Sequence, residues 1–319
     1  MMKALILGGY GAVGRHLVTE LHEYGDVAVQ AGRDATRAQA VVDLREPDLR
    51  SYRLALSDVD VVINASGLED PKIALLAAES GAAFVDVTAT SSYIASLGRL
   101  DLPRPVIVDV GLAPGLANLL AAAVHETTGG PIDLAVVLGA GEQHGAAATA
   151  WSYRLLGSRF DDRGQSVRNY TRPRQFNLPM YGRRRLYRAN FSDQHSLSRD
   201  LEVPVRTYFG LDSRLATTAL AVLTWVPAAS KAPRGVNLPG TDRWLVLARG
   251  HDGTTRWATG RNQSRATAMI AAITARAAVG LPPGVHHLHK VLDLIDIPTG
   301  KGISVNDAEH PVVPTDLDQ

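Results

Sequence analysis

The 319-residue chain predicts an α/β protein: a doubly wound parallel sheet, then a second, α+β unit. Three observations carry this. Residues 4–7 are a short apolar run that leads into Gly9-Tyr10-Gly11-Ala12-Val13-Gly14, and that turn opens an apolar pattern at helical spacing (Val13, Leu17, Val18, Leu21). Apolar runs of strand length then alternate with helical stretches as far as about residue 125, which is how parallel sheets are built. From Pro131 the runs alternate instead like antiparallel strands, with only a few helices between them.

The first turn has the strand–glycine–helix order in which G-x-G-x-x-G marks a dinucleotide site. Gly9 permits the tight turn, Gly11 has no Cβ to keep a pyrophosphate off the backbone, and Gly14 lets helix and strand approach. Tyr10, Ala12 and Val13 complete the loop, whose helix presents free N–H groups and a positive dipole end to a phosphate. A second strand at 26–31 ends in Gly32-Arg33-Asp34. An acid at the end of that strand holds the ribose hydroxyls of NAD, whereas an arginine accommodates the 2′-phosphate of NADP. Asp34 has the sequence spacing of an NAD-type acid, but the strand ends before it. Asp34 is then better used to cap a helix through Thr36, Arg37 and Ala40. Arg33 is left facing the ribose, which favours NADP over NAD.

A weak third strand is expected at 40–43 and strong ones at 58–64, 83–87 and 106–110. Asp70 and Pro71 have the N-cap and first-turn chemistry of a helix start. Ala65, Ser66 and Thr88 follow strands at their carboxyl ends, where ligands of open α/β sheets collect. A helix at 116–125 closes the unit. Beyond it come a strand at 132–138, a helix at 146–156, an antiparallel pair at 165–170 and 184–191, a strand at 203–209 and a helix at 215–223. A hairpin turns around His251-Asp252-Gly253, and a long helix after Ser264 is stopped by Gly280 and Pro282.

The composition, 45% hydrophobic and 20% charged, is that of a globular protein, and a net charge of +1 argues against nucleic acid as a partner. There is no cysteine, which excludes disulfides, thiolate catalysis and cysteine-ligated metals. The longest apolar stretch, 215–226, is shorter than the ~20 residues of a membrane span. With Met1-Met2-Lys3 leading straight into the first strand, a cytoplasmic protein without leader or membrane anchor is expected.

The motifs Gly8-Gly9-Tyr10-Gly11-Ala12-Val13-Gly14, Ala31-Gly32-Arg33-Asp34, Val62-Ile63-Asn64-Ala65-Ser66-Gly67, Phe84-Val85-Asp86-Val87-Thr88 and Gly111-Leu112-Ala113-Pro114-Gly115-Leu116 occur in this order. Together they resemble the saccharopine dehydrogenase-like reductases. The resemblance covers the first 125 residues well and the remainder in outline. It implies a Rossmann domain at 1–125 that binds NADP or NAD, a substrate and dimerisation domain at 126–280, a return of 281–305 to the Rossmann half, and a polar tail at 306–319. It also implies a homodimer, and chemistry on the C–N bond of a secondary amine or imine.

Candidate catalytic groups are Asp86 at a strand end, His144 in the loop after residues 139–141, and Tyr153 on the following helix. No Tyr-x-x-x-Lys pair and no G-x-S-x-G elbow occurs. The arginine-dense segment 154–188 suits a carboxylate-bearing small molecule, with one or two guanidinium groups lining the cleft. On a helix His286 and His289 would share a face, but with no carboxylate at a paired spacing no metal is expected. Reduction of a C=C or C=O group, and a sensor that binds NADP without turnover, fit the same residues.

Overall fold

A computed structural model describes residues 1–141, 146–227 and 240–308. The class is α/β. Strands β1 (Lys3–Leu7), β2 (Val27–Gly32), β3 (Ala40–Val41), β4 (Val61–Asn64), β5 (Ala83–Asp86) and β6 (Pro105–Val108) are all parallel, in the order 3-2-1-4-5-6. Their side chains alternate between two apolar layers. Leu5, Leu7, Val62, Phe84 and Val106 face α2 (Arg50–Ala55), α3 (Pro71–Glu79) and α4 (Ser91–Leu97). Ala4, Ile6, Ile63, Val85 and Ile107 join the layer of α1 (Gly14–Glu23) and α5 (Ala117–Thr128). Burial on both faces explains why these strands read as unbroken apolar runs. Asp70 caps α3 by accepting from the Lys72 N–H at 3.0 Å, with Pro71 at the first helical position.

The second sheet is mixed. β7 (Ile132–Leu138) is followed by α6 (Ala146–Leu155), the two-stranded ribbon β8 (Arg159–Asp162) and β9 (Gln165–Arg168), then β10 (Thr171–Leu178), β11 (Gly182–Arg188) and α7 (Asp193–Asp200). After these come β12 (Val205–Leu211), α8 (Arg214–Leu223), β13 (Arg243–Gly250), β14 (Thr255–Arg261), α9 (Gln263–Ala278), β15 (Gly284–His287) and β16 (Ile303–Ala308). The sheet order is β10-β11-β12-β7-β13-β14-β16. β15 lies instead beside β6, parallel to it, at the outer edge of the first sheet. α9 packs against α1, β4, β5 and β6, so one continuous apolar core joins the two sheets. No helix among the described residues is long and apolar enough to cross a membrane.

Several expectations are corrected. Residues 34–38 form turns rather than a helix, because only a short connection separates β2 from β3; Asp34 caps the turn through the Thr36 N–H and hydroxyl. Residues 165–168 pair with β8, and the partner of β11 is β10, which holds Pro173 at the sheet edge where a missing N–H is tolerated. His286 and His287 belong to β15, not to a helix end. Ile303 to Val305, expected back on the Rossmann half, and Asn306 to Ala308, expected in a tail, lie in β16, paired with β14 in the second sheet.

Candidate active site

At the switch point between β1 and β4, where α/β sheets bind ligands, the glycine turn is packed to backbone contact. A Cβ on Gly14 would come within 2.3 Å of the Gly8 carbonyl oxygen and 2.7 Å of Gly9 Cα, so helix and strand could not approach as they do. Gly11 differs: apart from its chain neighbours, a Cβ there would meet only the Gly8 oxygen, at 3.0 Å, among the described residues. This is the open side a pyrophosphate needs. Ala12, Val13 and Gly14 head α1; the Arg15 and His16 N–H groups bond back to the Gly11 and Val13 carbonyls, which leaves the N–H groups of Ala12, Val13 and Gly14 themselves for a phosphate. The turn therefore fits a dinucleotide pyrophosphate.

Tyr10 lies across the end of β2. Its ring sits over Gly32, where a Cβ would come within 2.3 Å of Cε1, and its hydroxyl accepts from the Asp34 N–H at 3.2 Å. The Arg37 guanidinium covers the ring at 4.3 Å and donates to the Tyr10 carbonyl at 3.3 Å. Arg33 is exposed beside it. The Asp34 carboxylate is occupied by Thr36, whose hydrogen bonds lower its pKa.

At the ends of β4 and β5 a buried chain fixes the loop that carries Ala65 and Ser66. Asp86 accepts from Asn64 Nδ2 at 3.0 Å, the Tyr93 hydroxyl at 2.8 Å and the Thr88 N–H at 2.8 Å. Asn64 Oδ1 in turn accepts from the Ser66 hydroxyl at 2.7 Å and its N–H at 3.2 Å. Asp86 is 1% exposed, and burial among uncharged partners raises its pKa. It is placed to orient Asn64 and through it Ser66. Thr88 is buried beside it.

A cleft of about 360 Å³ opens between the loop that follows β5 and the second unit. Thr90, Ser91 and Ser92 line one side; Trp151, Arg154, Arg159, Asp161, Asn190 and His195 line the other. Glu69 ties the two sides together, accepting from the Thr90 hydroxyl at 2.7 Å and facing Arg154 at 3.6 Å. His195 Nε2 is 2.7 Å from Asn190 Oδ1, which assigns the proton to Nε2 in the neutral ring. Burial, with the Arg188 charge adding to it, holds the imidazole below its ordinary 6.5.

A second polar cluster stands at the end of β6. Asp109, wholly buried in a left-handed backbone conformation (φ 59), accepts from the Ser192 hydroxyl at 2.5 Å, the Ser196 hydroxyl at 2.8 Å and His287 Nδ1 at 2.6 Å. Arg199 lies 2.8 Å from His287 Nε2, and Asp200 bridges Arg199 and His289. Burial opposes the charge on Asp109, but His287 and the two serines outweigh it and its pKa is lowered. Beside it, burial and the Asp109 charge push Asp193 up to about 7; its Oδ1 takes the Thr207 hydroxyl and the Gln194 N–H, and Oδ2 has no partner among the described residues.

The structure brings together Gly9 to Gly14, Ser66 and Thr88 at the carboxyl edge of the first sheet. Tyr153 packs against the main core and does not line the cleft, and His144 lies outside the described residues. Of the arginine-dense segment, Arg154 and Arg159 reach the cleft. His286, His287 and His289 each have an oxygen partner: His286 the Pro282 carbonyl, His287 Asp109, His289 Asp200. His195, Asn190 and Asp109 carried no signal in the sequence, since their partners are remote or sit on a helix with one apolar residue.

With the cleft at the carboxyl edge of its first sheet, the chain has a Rossmann-type fold. Saccharopine dehydrogenase (L-Glu forming) from Saccharomyces cerevisiae shares it: 12% identity, TM-score 0.62, covering 97% of this chain and 100% of that one. Weaker likenesses, which carry no argument, are a meso-DAP dehydrogenase mutant with DAP from Clostridium tetani (13%, TM-score 0.49, 93% and 95% covered) and an amine dehydrogenase from Mycobacterium smegmatis (11%, TM-score 0.48, 92% and 96% covered). No family model and no curated protein sequence matches the chain.

Proposed function

We propose that this protein is an NADP(H)-dependent oxidoreductase acting on the C–N bond of a small carboxylate-bearing imine or secondary amine. The observation that carries the reading is the cleft, which meets the carboxyl edge of the dinucleotide fold and is lined from both sides by hydrogen-bonding groups, two arginines and a histidine. The glycine turn would hold the pyrophosphate, Arg33 and Arg37 the 2′-phosphate, and Ser66 and Thr88 the nicotinamide side. The fold shared with saccharopine dehydrogenase fits this reading.

When bound, the nicotinamide accepts or delivers the hydride. Arg154 and Arg159 hold the substrate carboxylate, as planar forked donors do best. His195, neutral at pH 7 because burial lowers its pKa, takes the proton that the amine nitrogen loses. Asn190 keeps the ring turned so that Nδ1 is the free base. Trp151 and Phe160 give the cleft an apolar wall.

The test begins with the cofactor. NADPH and NADH are titrated into the purified protein by fluorescence, with and without Arg33→Ala. NADPH is expected to bind more tightly, and Arg33→Ala to erase the preference. Equal binding of both in the unaltered chain refutes the NADP assignment; binding of neither refutes the oxidoreductase reading. With a substrate found among amino-acid-derived imines, His195→Gln is expected to lower kcat for amine oxidation by about 10²–10⁴ and leave NADPH affinity unchanged. The unaltered protein's oxidation rate should fall only below pH 6.5, as His195 takes up a proton.

A further inference from the structure

A second groove, sharing no lining residue with the cleft, opens where β11 leaves β12. β11 pairs with β10 from Gly182 to Arg188 but with β12 only at Tyr187 and Arg188, so its first part forms no ladder with β12. The gap has a volume of about 440 Å³ and is lined by Arg183, Arg184, Arg185 and Arg214, with Gln175 and Thr218 among its polar neighbours and no acidic side chain. Buried Arg184 donates to the Leu211 and Asp212 carbonyls at 2.7 and 2.8 Å; Arg214 donates to the Arg183 carbonyl at 3.1 Å; Arg183 donates to Gln175 Oε1 at 2.6 Å. Among the described residues none of these four arginines has an ion pair. The Asp212 carboxylate nearby is occupied by the N–H groups of Ala140, Ser213 and Thr241 and by the Thr241 hydroxyl. Burial first and then the Arg214 charge lower the pKa of Arg184, outweighing the opposing pull of Tyr181 and Asp212.

Four guanidinium groups around one groove whose lining holds no carboxylate repel one another, and an anion carrying two or more charges relieves it. Guanidinium forks match phosphate oxygens two at a time, and the volume suits a small molecule. We propose that this groove is a binding site for a phosphorylated small molecule, its phosphate held by Arg183, Arg185 and Arg214, with Arg184 fixing the strand behind them. It is independent of the redox reading, since no residue is shared.

Inorganic pyrophosphate is the probe, titrated calorimetrically at low salt. It also has a place at the glycine turn, so the titration is run on the unaltered protein, on Arg185→Ala/Arg214→Ala and on Gly11→Val. Both arginines are exposed, so the double variant should keep its Tm. The expected result is binding that weakens with added salt, falls roughly tenfold or more in the arginine variant and persists in Gly11→Val. Absence of binding, or binding that survives the arginine substitutions, overturns the proposal.

Discussion

Two adjacent strands end in buried carboxylates that are handled in opposite ways. Asp86, at the end of β5, meets an amide, a phenol and a backbone N–H, all from its own half of the molecule, and burial raises its pKa. Asp109, just past β6, meets Ser192 just before α7, Ser196 within it and a histidine from β15, and despite its burial its pKa is lowered. Uncharged donors oriented around the first make a positioning device inside one sheet. A histidine and hydroxyls from separate elements make the second a clasp between the two halves.

The largest break in this comparison is Asp109→Ala, which strands His287, Ser192 and Ser196 in a buried site. It should cost about 3–5 kcal/mol, read as a lowered denaturant midpoint. A cost below that of an ordinary surface substitution would refute the clasp. Next comes Asp193. Its native pKa of about 7 lies above the unfolded carboxylate value near 3.9, so its contribution is full below about pH 4 and is lost as pH rises through 7. Stability should therefore decline by roughly 3–4 kcal/mol over that window, and Asp193→Asn should flatten the decline. Asp109 has the opposite sign: its contribution is present above pH 3.8 and fails as pH falls through its lowered native value. Asp86→Asn should cost only about 1 kcal/mol, since a raised pKa already disfavours the charge. The smallest effect expected is Ser66→Ala, a few-fold loss of NADPH affinity measured by fluorescence.

The contrast also marks where sequence reading stops. The first sheet was legible because its determinants are local: apolar runs buried on both faces, a glycine turn, and Asp70-Pro71 at a helix start. α7 was not legible. Its sequence, Asp193 to Asp200, holds Leu197 as its one apolar residue, and the rest of its buried face is made of Asp193, Gln194 and Ser196, whose partners include Asp109, Thr207 and Arg188. A helix buried through hydroxyls and carboxylates leaves no apolar period to read. β10 was hidden by Pro173, and β16 by a polar sequence that only its pairing with β14 makes a strand. The glycine turn could be found from its spacing; His195 could not, because nothing near it in sequence announces the cleft.

The place of β15 has a consequence for how the chain is made. Asp109 and its partner His287 are 178 positions apart. At a synthesis rate of about 5–20 residues per second, many seconds separate their appearance. Throughout that interval β6 is an open sheet edge and the carboxylate beside it lacks its histidine, the kind of surface that invites wrong pairing. The first half can collapse early, but it is sealed only when a four-residue strand made long afterwards returns to it.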